Sequence, residues 1–116
     1  MMRQLSVGLL PDGALDAAGA FMAFHLDAAR AILADPATTA LAIILPPAPH
    51  GHRDWRLALA RDLAREVAPK RVNVVAGLPG DARDATLRFL SDAPGVTGQY
   101  CLCHDDTCAD PAAPQA

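Results

Sequence analysis

The segment Leu59–Gly77, LARDLAREVAPKRVNVVAG, constrains the fold more than any other part of the chain. Its first half sets Leu59, Leu63 and Val67 on one side of a helix, with Arg61, Asp62, Arg65 and Glu66 on the other. Pro69-Lys70 then turns the chain, and Arg71–Ala76 follows as a short strand ended by Gly77. A helix delivered this way into a strand is half of a βαβ unit. The other half precedes it. Ala40–Leu45 (ALAIIL) is apolar without interruption, as a strand covered on both faces must be, and a helix over Arg53–Val67 joins the two.

The flanking sequence extends the same alternation. Leu5–Leu10 (LSVGLL) reads as a strand ended by the turn Pro11-Asp12-Gly13. An Ala-rich helix over residues 15–34 is stopped by Asp35-Pro36. On it Leu15, Met22, Leu26, Ala29 and Leu33 lie near one face, while Phe21, Phe24, Ala28 and Ile32 spread around it. Only Asp16, Asp27 and Arg30 form a polar stripe, so the apolar arc is wider than a one-sided surface helix needs and asks for a second partner. Asp81 is placed to cap a shorter helix through Leu90, and Gln99–Cys103 closes as a last strand. The order β-α-β-α-β-α-β predicts an α/β fold of about four mainly parallel strands, with right-handed crossovers and helices on both faces. One domain over residues 1–104 accounts for all of it, and the polar, Ala/Pro-rich residues 105–116 read as a disordered tail.

Composition excludes several functions. A net charge of −3 gives no electrostatic basis for binding nucleic acid or an anionic membrane. No apolar run approaches the ~18 residues that cross a bilayer, and MMRQLSVGLLPDG lacks the h-region and cleavage site of a signal peptide. Three cysteines confined to residues 101–108 make a poor disulfide framework, so a cytoplasmic location is expected.

Three segments resemble the C-terminal half of the short-chain dehydrogenase/reductase family. LARDLAREVAPKRVNVVAG is similar to the helix after that family's catalytic Tyr and Lys, with the strand that follows. ATLRFLSDAPGVTGQYCLCHD is similar to its closing helix and last strand, with Phe89, Leu90, Ser91, Asp92, Thr97, Gly98 and Gln99 in family order. AFMAFHLDAARAIL matches the helix before the active-site strand more loosely. The resemblance implies a Rossmann-like half-domain and, in the family, a four-helix subunit interface made by the helices corresponding to residues 15–34 and 53–67. Phe21, Phe24, Ala28 and Trp55 are the candidate interface residues.

The family's chemistry is not carried over. The glycine-rich cofactor loop and ribose-reading residue would precede this chain, and no G-x-G-x-x-G occurs in it, so no cofactor is expected. Family catalysis needs a Tyr made acidic by a Lys one turn later. Pro49 and Arg53 stand at those positions, Pro46 or Pro47 at that of the catalytic Ser, and the single Tyr, Tyr100, falls on the last strand. The loop Ala76–Asp81 (AGLPGD) resembles the one that meets the nicotinamide, though it serves equally as a turn into a helix.

Two weaker constellations remain. His52 and Arg56, four apart near the end of the second strand, could share a helix face and move a proton, or could be ordinary surface residues. Cys101, Cys103, His104 and Cys108 are zinc-type ligands, but C-x-C within a strand is not the tight-turn spacing of a structural site. The leading expectation is a non-catalytic protein that associates with itself as a homodimer, or with a full-length reductase. The alternative is a subunit of an NAD(P)-dependent oxidoreductase completed by such a partner. An unpaired edge on the first strand would also invite association.

Overall fold

A computed structural model describes residues 1–103 of the chain. Four parallel strands, β1 (Met2–Ser6), β2 (Ala40–Leu45), β3 (Arg71–Ala76) and β4 (Tyr100–Leu102), pair in sequence order. Between them run α1 (Ala14–Phe24), α2 (Leu26–Ala34), α3 (Arg53–Val67) and α4 (Asp81–Asp92), with a 3-10 turn at His50–His52 leading into α3.

Every residue of β2 is buried, as its uninterrupted apolar run requires. Its side chains alternate between two cores. Leu41, Ile43 and Leu45 join Val72 and Val74 under Phe21, Ala29, Leu33, Leu59 and Leu63 of α1–α3. Ala42 and Ile44 join Val75 under Leu87 and Leu90 of α4. The α/β fold with helices on both faces is therefore observed, and it corrects the expectation of right-handed crossovers throughout. The chain moves across the sheet in one direction, so connections of a single hand would put every helix on one face. Since α4 crosses the opposite face from α1–α3, the β3-α4-β4 connection has the opposite hand to the two before it.

That unusual return is fastened by polar side chains of β3. Arg71 Nη1 donates to the carbonyls of Leu90, Ala93 and Val96 at 2.9, 3.0 and 3.2 Å, which gathers the end of α4. Asn73 Nδ2 donates to Val96 O, and Asn73 Oδ1 accepts from Gln99 N. Thr97 Oγ1 accepts from Val72 N at 3.0 Å, and Gly98, at φ +71°, places its own N–H 2.7 Å from Val72 O.

Several boundaries differ from the sequence reading, and β4 is Tyr100–Leu102 rather than Gln99–Cys103. The first strand is Met2–Ser6 rather than Leu5–Leu10; Val7 adds one more bond to Ile44 O before the chain leaves the sheet. The helix expected over 15–34 breaks at His25 into two helices bent by 46°. Gly80 rather than Asp81 is the N-cap of α4, with no side-chain cap bond. No single described helix is long and apolar enough to cross a membrane. The bent pair α1–α2 has that composition together, but it turns Phe21, Ala29 and Leu33 into the core.

Candidate functional site

Open α/β sheets bind ligands beyond the carboxyl ends of their strands. At that end a polar cluster is built from α3, the loops after β1 and β2, and β4. His52 is only 5% exposed. Its Nδ1 lies 3.2 Å from Trp55 Nε1, and its Nε2 lies 2.8 Å from Asp12 O. An indole N–H can only donate and a carbonyl can only accept, so Nδ1 presents its lone pair and the proton sits on Nε2. Both ring nitrogens are thus engaged in holding the β1 loop against α3.

Arg56, one helical turn on, is 1% exposed. Its Nη1 donates to Pro46 O at 2.8 Å and to Tyr100 Oη at 3.2 Å. The guanidinium lies 5.4 Å from the centre of the Trp55 ring and 5.9 Å from that of Tyr100, within reach of cation–π attraction. Among the described residues no carboxylate pairs with it, and its Nε has no hydrogen-bond partner. The sequence set His52 and Arg56 on one helix face; in the structure His52 ends the 3-10 turn as the N-cap of α3, Arg56 lies one turn on, and both face inward. The sequence did not reveal this burial, nor that Tyr100 and the Asp12 and Pro46 carbonyls complete the cluster. Those groups come from segments far apart in the chain.

Cys101 and Cys103 point to the α4 side of the sheet, both half-buried and both free. Burial, then the charge of Cys103, pushes the Cys101 thiol above its ordinary value. Cys103 sits over Gly77, where an added Cβ would approach to 2.7 Å, and its N–H bonds to Ala76 O. The loop after β3 is thereby closed against the end of β4. No group of three metal-ligating side chains occurs among the described residues. His104 and Cys108, with the tail 105–116, lie outside those residues.

The expected interface residues separate into two kinds. Phe21 is fully buried, and its ring lies 6.1 Å from that of Trp55, itself partly enclosed. Phe21 is therefore core rather than interface, because α1 turns Ala17 and Phe21 toward the sheet instead of Leu15 and Met22. Phe24, at 78% exposure, and Ala28 remain on the surface, with Leu15 and Met22 also outward. The outer surface of α3 is open and presents Asp54, Leu57, Ala58, Arg61, Asp62 and Arg65.

The sequence model of one family, described as short chain dehydrogenase-like protein, matches residues 5–103. The chain belongs to the short chain dehydrogenase-like family. Searches of curated proteins and of solved structures give no match. Thr97, Gly98 and Gln99, which carry the resemblance in the closing segment, have structural work: they bind the return loop to β3. Arg53, which the resemblance sets at the position of the family's Lys, is exposed, and Pro49 opens the 3-10 turn.

Proposed function

We propose that this chain is a non-catalytic member of its family that acts by association through the helical layer α1–α3. The observation that carries the reading is the engagement of His52 and Arg56. His52 is the candidate general acid and Arg56 its cationic neighbour, and both are spent on holding loops: His52 on Asp12 O and Trp55, Arg56 on Pro46 O and Tyr100. Pro46, Pro47 and Pro49 offer no transferable proton where the resemblance sets the family's Ser and Tyr.

Association is supported by the outward face of α1. Leu15 and Met22 lie two turns apart on it, at 86% and 45% exposure, with Phe24 at its end. A stable interface buries about 1,600 Å² in total, so the reading includes the neighbouring α3 as well as α1. The test is the mass in solution by light scattering at micromolar concentrations. An assembly larger than one chain, dissociated by Phe24→Asp without loss of secondary structure, supports the reading. A monomer at every concentration, with no binding to a full-length family member, contradicts it.

A second reading rests on β1, which pairs only with β2 and leaves its other edge free among the described residues. A complete reductase could extend the sheet there, making this chain a subunit of an NAD(P)-dependent enzyme. Cofactor-dependent binding to such a partner distinguishes this arrangement from the first.

A further inference from the structure

Arg30 and Arg56 present the same group in opposite surroundings. At the surface, Arg30 uses its Nε–Nη2 edge to grip both carboxylate oxygens of Glu66, at 2.9 and 2.7 Å. On that edge two parallel N–H groups match the two oxygens of a carboxylate. In the interior, Arg56 commits only Nη1, to Pro46 O and Tyr100 Oη, and its Nε–Nη2 edge meets no acceptor among the described residues. Tyr100 adds a further donor. A guanidinium can only donate, so the phenol oxygen accepts from Nη1 and keeps its own O–H, which makes no hydrogen bond to a described residue. Donors thus gather without a negative group around a charge that is 1% exposed, and an enclosed charge is costly until it is paired.

We propose that Arg56 and Tyr100 form a binding site for a small carboxylate, of the size of formate or acetate. The Nε–Nη2 edge of Arg56 grips its two oxygens as Arg30 grips Glu66, and the Tyr100 hydroxyl is the second donor. The enclosure of Nε keeps the occupant small, and half-exposed Tyr100 leads from the surface to the guanidinium it bonds. The Trp55 and Tyr100 rings, 5.4 and 5.9 Å from the guanidinium carbon, give the site apolar walls. Such walls favour a carboxylate with a small apolar remainder over a heavily hydrated inorganic anion. Nη1 continues to hold the loop after β2, so the ligand adds to the contacts of the fold and replaces none. The site is independent of the association reading, since no residue on the outer face of α1 takes part in it.

The test uses the whole chain and its single tryptophan, Trp55, as the reporter beside the guanidinium. At about pH 7, where carboxylates are ionised, sodium acetate and sodium formate are titrated against sodium chloride at equal ionic strength. Either carboxylate should change Trp55 emission saturably and raise the melting temperature, while chloride does neither. Tyr100→Phe keeps the ring and removes one donor to a charged acceptor, so it should weaken acetate binding about tenfold. Arg56→Lys keeps the charge without the planar fork and should abolish the response. Its circular dichroism spectrum shows whether it folds, and if it does not, Tyr100→Phe alone decides. An equal response to chloride and acetate, no saturable response to either carboxylate, or acetate binding unchanged by the variants overturns the site. If acetate binds only after Asp105→Asn/Asp106→Asn, the countercharge belongs to the chain itself and the external ligand is overturned.

Discussion

A guanidinium buried to 1% exposure without a carboxylate is the most demanding single group in the fold, and Arg56 is that group. Its charge is offset by Pro46 O, the Tyr100 hydroxyl and two aromatic faces. Arg56→Ala removes both hydrogen bonds and leaves Pro46 O unpaired, at a cost of about 2–4 kcal/mol. Thermal melting should show a fall of roughly 10 °C or more for a domain of this size. An unchanged melting temperature would mean that the arginine does not hold the loop. Phe21 and Phe24 make a second contrast at this scale. Phe21→Asp puts a charge into the closed core and should abolish cooperative unfolding, while Phe24→Asp should keep the wild-type circular dichroism spectrum. Equal tolerance of both would contradict the assignment of α1's inner face.

Among the elements, the return from α4 to β4 depends on a few polar contacts rather than on core area. Thr97→Val leaves the buried Val72 N–H without its acceptor and should cost about 1–2 kcal/mol in denaturant unfolding. Gly98→Ala should cost a similar ~1–2 kcal/mol, through the backbone alone. The new Cβ would stand 3.8 Å from Ala64 Cβ and from Arg61 Cα, so no clash contributes. If neither substitution lowers stability, these contacts do not secure the loop. The elements also show what the sequence made legible. The bounds of β2, α3 and β3 follow from apolar runs and helical periodicity strong enough to fix them. β1 was shifted because an edge strand exposes Arg3, Gln4 and Ser6, which hides it, while the apolar LSVGLL continues past the sheet. The break at His25 has no Pro or Gly to announce it. The burial of His52 and Arg56 was not legible either, since the groups that receive them, Asp12 O, Pro46 O and Tyr100, are brought there only by tertiary folding.

At the scale of the whole molecule, the carboxyl end of the sheet is occupied by the chain's own side chains. Trp55, His52, Arg56 and Tyr100 fill one side, and Cys103 closes on Gly77 at the other. Thr97, Gly98 and Gln99 serve the fold, and α1 leaves Leu15, Met22 and Phe24 exposed. The most direct test is thermal melting of the isolated protein with millimolar NADH or NADPH. A ligand at 100 times its dissociation constant stabilises a fold by about 2.7 kcal/mol, which for a domain this small raises the melting temperature by roughly ten degrees. A non-catalytic chain without a cofactor site should show no shift with either nucleotide. A reproducible rise with one of them, saturating with concentration, would contradict it and make this chain a cofactor-binding protein.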